Sequence, residues 1–190
     1  MNGPTLRMSL KVGSGRNIGT DFGLGLRQGM VELVPHNPSW TDAYDLEASE
    51  IRHVLGSRFI EIEHIGSTAI AGIRAKPILD IMVGIEDFSS GPLLEPMLAK
   101  LGYDYARNAG VPHDHVFGKG EERTHLVHVV EFDGAVWHHN LRFRDALRSD
   151  PTLAARYEDL KVRLSGQFQN NRAAYTAAKR EFIDLVAKRP

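Results

Sequence analysis

The sequence predicts an α+β fold: a small mixed β-sheet, α/β in its wiring, with flanking helices and a C-terminal helical extension. Three observations predict it. The chain has 190 residues, room for one ordinary domain and too few for two. Its apolar residues recur in the order helix, strand, strand, helix, strands, then three helices. Strand-like runs stop at Phe132, and everything beyond carries helical spacing.

Seven of the eighteen glycines lie in residues 1–29, where apolar residues show no sustained period. That composition predicts a flexible N-terminal tail over 1–29 and a folded domain over 30–190. Val31–Val34 is a short apolar run ended by Pro35 and Pro38. Ser39 offers an N-cap for a helix over Trp40–Leu55, whose Tyr44, Ala48, Ile51 and Leu55 share a face; Gly56 stops it. Arg58–His64 alternates as a strand does, and Gly66–Gly72 is a small-residue turn with room for a short helix. Pro77–Ile85 reads as a buried strand and Pro92–Leu101 as a helix ended by Gly102. His115–Phe117 and Thr124–Phe132 are strands about a Gly118–Glu122 turn. Val136–Arg148, Pro151–Phe168 and Arg172–Lys188 are helices, the second with proline in its opening turn.

Composition excludes several function classes. There is no cysteine, hence no disulfide, thiolate metal site or cysteine nucleophile. No run of about 18 apolar residues exists to span a membrane. A cysteine-free chain fits a reducing compartment, and the expected location is cytoplasmic. The formal net charge of -1 and pI near 6.8 argue against a nucleic-acid-coating protein, although RNA stays open as a ligand. That near-neutral total conceals an asymmetry: residues 31–99 carry a net -7 and residues 140–190 a net +5. An acidic middle beside a basic end suits a metal on one face and an anion on the other, or simply mutual neutralisation.

One constellation stands out: Ile65-Gly66-Ser67, then twelve intervening residues, then Asp80-Ile81-Met82-Val83. A strand ending in Gly-Ser presents backbone N–H groups and a hydroxyl to phosphate oxygens. The next strand then sets a carboxylate beside them, as phosphoryl or nucleotidyl transfer requires. Asp80 lies in an apolar run, where an unpaired charge is costly, so it is a ligand or half of a buried pair. Lys76, extended before Pro77, reaches phosphate or pairs with an acid. Arg144 and Arg148, four apart on one helix face, suit a triphosphate, a CoA phosphate or an RNA backbone, with Asp145 able to neutralise part of that face.

Several motifs in order extend this. They are Val31-Glu32-Leu33-Val34-Pro35-His36-Asn37-Pro38-Ser39-Trp40, His64-Ile65-Gly66-Ser67-Thr68, Lys76-Pro77-Ile78-Leu79-Asp80-Ile81, Arg123-Thr124-His125-Leu126-Val127-His128-Val129 and Leu141-Arg142-Phe143-Arg144-Asp145. Together they resemble the GrpB family over residues 31–188. The resemblance implies a nucleotidyltransferase-like fold, and a domain that occurs fused to dephospho-CoA kinase in some proteins. The candidate phosphate- or nucleotide-binding residues are Gly66, Ser67, Thr68, Arg144 and Arg148, and the candidate catalytic residues are Asp80 and Lys76.

Met82 departs from the superfamily pattern. Positions 80 and 82 share a strand face, and an active nucleotidyltransferase would carry its second metal-binding carboxylate at 82. A thioether is a poor Mg²⁺ ligand. Glu63, Glu131 and His128 are the candidates to complete a metal set around Asp80, and the resemblance favours His128. The expected cofactor is a divalent metal, Mg²⁺ or Mn²⁺, with Zn²⁺ as the alternative. The pairs His113/His115, His125/His128 and His138/His139 lack the spacing of a dedicated zinc site. Two function classes follow. One is an enzyme transferring a nucleotidyl or phosphoryl group from a nucleoside triphosphate through a non-standard site. The other is a catalytically inactive module that binds a nucleotide or CoA-like ligand. Either takes a nucleotide or other phosphorylated small molecule as partner, with a link to CoA metabolism through the resemblance.

Overall fold

The computed structural model describes residues 22–107 and 109–188. Its elements are β1 (Leu26–Arg27), α1 (Trp40–Leu55), β2 (Glu61–Ile65), β3 (Leu79–Ile85), α2 (Glu95–Leu98), β4 (Tyr103–Tyr105), β5 (His115–Lys119), β6 (Glu122–Arg123), β7 (His125–Glu131), α3 (Ala135–Ser149), α4 (Pro151–Gln167) and α5 (Arg172–Ala187). Five strands form one sheet in the order β2-β3-β7-β5-β4. β3 and β7 run parallel; the other neighbours are antiparallel. This is the α+β class with the mixed sheet and helical C-terminus that the patterning predicts.

Strand alternation gives the sheet two faces. Ile62, Ile81, Val83, Val127, Val129 and Phe117 point to one side, against Ala48, Ile51 and Leu55 of α1 and Leu98 of α2. Ile65, Met82 and Val130 point to the other, under Trp137 of α3. The three C-terminal helices join through Phe143, Leu147, Leu153, Tyr157 and Val186, and that cluster includes Ile70 and Ile73. The helical extension therefore grips the loop that follows β2. Leu164 and Tyr175 meet Val31 of the N-terminal approach.

The structure differs from the patterning at identifiable places. β1, β4 and β6 are two or three residues long, too short to show a period. The helix expected over Pro92–Leu101 is mostly 3₁₀: Phe88–Leu94 and Ala99–Leu101 flank the single turn of α2. Ser39 does not cap α1 with its side chain; the Asn37 carboxamide oxygen accepts from both the Ser39 N–H and hydroxyl, at 3.0 and 2.8 Å.

The tail boundary also moves. Leu24 and Leu26 are buried, Gly25 N–H donates to the Pro77 carbonyl at 2.9 Å, and β1 pairs with β6. Trp40 and Asn37 both donate to the Phe22 carbonyl. Residues 22–29 are thus tied to the domain through main-chain bonds that composition does not reveal. The rest of the expected tail lies outside the described residues.

Candidate functional site

β2 ends where β3 begins, with Ile65 opposite Asp80. The chain leaves β2 through Gly66 at φ 70°, ψ -171°, a region essentially reserved for glycine. A Cβ built there would lie 2.3 Å from Asp80 Oδ2 and 2.9 Å from its Cβ. The missing side chain is therefore the space that the Asp80 carboxylate fills.

On β7, His128 pairs with Met82 and shares its sheet face with Asp80. Its Nε2 lies 3.7 Å from Asp80 Oδ1, and its Nδ1 hydrogen-bonds Asp114 Oδ2 at 2.8 Å. Burial alone would lower the His128 pKa, but the charge and hydrogen bond of Asp114, joined by Asp80, raise it to about 10. The ring is an imidazolium held between two carboxylates. Burial would likewise raise the Asp80 pKa; contact with His128 and the charges of Lys76 and Arg172 outweigh that and hold it below the usual value. Asp80 is ionised, and its side chain keeps 28% exposure, open to a ligand.

The loop between Gly66 and Asp80 is clamped on both sides. Arg74 N–H donates to Glu158 Oε1 at 2.7 Å, and Lys161 Nζ donates to the Arg74 carbonyl, both partners coming from α4. These bonds fix the segment that carries Lys76. Burial, then the charges of Arg172 and Lys179, lowers the Lys76 pKa to about 7; Asp80 works in the opposite sense. Lys76 Nζ sits 5.9 Å from the centre of the Tyr175 ring. Ser67 lies against the Tyr157 phenol, whose pKa burial pushes up.

Four of the expected site residues thus meet at one end of the sheet: Gly66, Asp80, His128 and Lys76, with Ser67 beside them. Four others are committed elsewhere. Thr68 is buried, with its hydroxyl 3.0 Å from His64 Nε2. Arg144, expected on phosphate, is buried: Nη1 donates to Glu63 Oε2 at 2.6 Å and to the His64 carbonyl at 3.0 Å, and Nε donates to Asp145 at 2.7 Å. Arg148 Nε donates to the Ala69 carbonyl at 2.9 Å. Both arginines brace the Gly66 turn from α3. Glu63, a metal candidate, is the partner of Arg144.

The donor set does not fit a resident divalent ion. Among the described residues no group of three His or acidic side chains is arranged to hold one. Met82 is fully enclosed by Ile65, Val130 and Trp137, Glu63 is paired, and Glu131 falls on the opposite sheet face from His128. The other histidines serve packing or surface pairs: His115 hydrogen-bonds Tyr105 and the Phe88 carbonyl, and His138 pairs with Asp133.

Three functional groups escape the sequence reading. Asp114, on the approach to β5, is recognisable only once β5 and β7 pair. Arg172 and Lys179, with Tyr175, form an i, i+3, i+7 stripe on α5; that spacing, in an alanine-rich helix, is the signal that could have found them.

Comparison with known proteins agrees with these motifs. The model of the family described as GrpB protein matches residues 30–189. The chain belongs to the GrpB family. The glutamate-rich protein GrpB of Alkalihalophilus pseudofirmus is 35% identical over 169 residues, 86% of this chain and 97% of that one. The UPF0157 protein YqkA of Bacillus subtilis is 32% identical over 80% of this chain and 45% of its own length. A dephospho-CoA kinase of Mycobacterium tuberculosis is 31% identical over 56% of this chain, matching 26% of that protein. The crystal structure of GrpB from Enterococcus faecalis superimposes with a TM-score of 0.75 at 31% identity, over 83% of this chain and 95% of that one. No helix among the described residues is long and apolar enough to cross a membrane.

Proposed function

We propose that this GrpB-family protein binds a phosphorylated small molecule, of the nucleotide or CoA class, in the cleft between the Gly66 turn and the Lys76–Asp80 segment. The observation that carries this reading is the contact of Gly66 with Asp80. A glycine-only turn, a partly exposed carboxylate, a clamped imidazolium and a half-buried lysine converge on one point with no structural need for all four. Lys76 meets the phosphate charge. Asp80 accepts from a hydroxyl or amine of the same ligand, and His128, anchored by Asp114, holds Asp80 in place. The partial match to dephospho-CoA kinases supports including CoA compounds in the class.

Phosphoryl or nucleotidyl transfer is the second reading, favoured by the exposure of Asp80. In that reaction an acceptor hydroxyl loses its proton to Asp80 as its oxygen bonds to phosphorus. The bond from phosphorus to the leaving phosphate breaks, and Lys76 stabilises the charge that develops. The low pKa of Asp80 makes it a weak base at neutral pH, so this route is slow.

A thermal-shift and calorimetric screen tests both readings, using nucleotides, CoA and dephospho-CoA, each alone and with Mg²⁺, Mn²⁺ or Zn²⁺. A phosphorylated compound should raise the melting temperature by several degrees, and Lys76→Met should abolish the shift. Binding that survives Lys76→Met, or no response to any phosphorylated compound, overturns the binding reading. Product formation lost in Asp80→Asn, with ligand still bound, would establish transfer.

A further inference from the structure

α5 turns three residues of one stripe toward the same end of the sheet. Tyr175 is fully buried, and its ring carries two ammonium groups: Lys179 Nζ at 4.4 Å and Lys76 Nζ at 5.9 Å from the centroid. Arg172 lies one turn before Tyr175 and acts electrostatically on both lysines and on Asp80. Among the described residues none of these three cations forms a salt bridge. The carboxylate they share is Asp80, which also faces the charged His128. Other enclosed cations have their own partners: Arg144 has Glu63 and Asp145, Lys119 has Glu47, and the fully buried Lys161 has the Arg74 carbonyl.

A cluster of like charges with too few counter-charges weakens a folded protein. The aromatic shelf keeps the ammonium groups in place by cation–π attraction without neutralising them. Lys76 and Lys179, their pKa values lowered to about 7 and 8, are partly deprotonated near neutral pH, and a bound anion draws them back to the charged form. The Tyr175 hydroxyl is buried with no hydrogen-bond partner among the described residues, an unmet polar group at the centre of the same cluster.

We infer that Arg172, Tyr175 and Lys179 form, with Lys76, a second anion subsite adjoining the Gly66–Asp80 cleft, so that the ligand carries at least two linked phosphate groups rather than one. This inference rests on the reading that the cleft binds phosphate. A phosphoanhydride chain, as in pyrophosphate or a nucleoside di- or triphosphate, spans from Lys76 to the α5 cations. The repulsion present in the free protein is relieved only when such a chain binds.

The test uses inorganic anions, so that no base or pantetheine contributes. Orthophosphate, pyrophosphate and tripolyphosphate are titrated calorimetrically into the full chain and into the Lys179→Met and Arg172→Met variants. One added charge-assisted contact is worth roughly tenfold in affinity. Wild type should therefore prefer tripolyphosphate over orthophosphate by roughly tenfold or more, and each variant should shrink that ratio several-fold. Because repulsion is relieved, ligand-free Lys179→Met should melt a few degrees higher than wild type.

Equal affinity for orthophosphate and tripolyphosphate in wild type overturns the second subsite. So does a preference that persists in Lys179→Met, or a variant that melts lower without ligand. These results leave the phosphate cleft itself intact, because that reading stands on the Lys76→Met arm of the nucleotide and CoA screen. Failure of all three inorganic anions to bind overturns the inference; a positive nucleotide screen beside it would retain the cleft reading.

Discussion

The two faces of the sheet each bury an acid beside a histidine of β7, and they treat the pair in opposite ways. On the α1 face, Glu47 is fully buried and fully matched. Lys119 Nζ donates to both its oxygens, at 2.8 and 2.9 Å, and the Tyr103 hydroxyl donates at 2.9 Å. His125, beside it, is held neutral: burial lowers its pKa to about 4 against the pull of Glu47. On the α3–α5 face, Asp80 is partly open and outnumbered by cations, and His128 is held charged. The two histidines are three residues apart on one strand, and only the facing partners differ. The Glu47 carboxylate is closed and matched, as stability alone selects, with only His125 Nε2 beside it left without a hydrogen-bond partner. The open, mismatched one stores repulsion that a ligand would release.

The largest effects should come from breaking the closed side of that contrast. Met82→Asp puts a second carboxylate into the Ile65–Val130–Trp137 cluster beside Asp80, with the facing His128 already committed to Asp114 and Asp80, and should cost roughly 4 kcal/mol or prevent folding. Met82→Leu should cost less than about 1.5 kcal/mol in urea denaturation, because it conserves volume. Glu47→Ala strands Lys119 and Tyr103 and should cost about 3 kcal/mol, with phosphate-ligand affinity unchanged. A parallel loss of ligand binding in Glu47→Ala would mean that the two faces are coupled.

How much of this contrast was legible in the sequence depends on the range of each contact. Gly66 and Asp80 stood out because each violates its surroundings: a glycine closing a strand, and an acid inside an apolar run. Helices α1, α3, α4 and α5 followed from spacing within a residue or two of their ends. An arginine on a helix face is ordinarily solvated, and nothing in the spacing of Arg144 signals its burial. Only the arrival of β2 beneath α3 buries it against Glu63. Asp114, Arg172 and Lys179 carry no local anomaly, and they join the site through packing between distant segments.

Gly66→Ala sharpens the comparison at intermediate size. It forces a residue with a Cβ into a glycine-only conformation and drives that Cβ into Asp80. The expected stability loss is about 2 kcal/mol. Ligand binding should fall further than that loss explains, because the Asp80 carboxylate must move. A variant that loses stability but binds nucleotide or CoA compounds as wild type does would place the ligand elsewhere.

The smallest effect, and the most direct reading of the two faces, is the titration of the two histidines. Ring resonances followed by NMR should show His128 protonated through neutral pH and beyond, and His125 neutral down to pH near 4. The stability consequences have opposite signs. The folded pKa of His128 lies above its ordinary 6.5, so its stabilisation is complete below pH 6.5 and is lost as pH rises towards 10. The folded pKa of His125 lies below 6.5, so its contribution is complete above pH 6.5 and is lost as pH falls towards 4. Lys76, Lys161 and Lys179, lowered to about 7, 7 and 8, oppose His128: folding that disfavours their charged forms becomes easier as pH rises towards 10.5. The His128 limb must therefore be read as the difference between wild type and His128→Gln. His125→Gln should flatten the acid limb and leave the alkaline one. If both rings titrate together near 6.5, Asp114 and Asp80 do not hold His128 as an imidazolium, and the electrostatic contrast between the two faces fails.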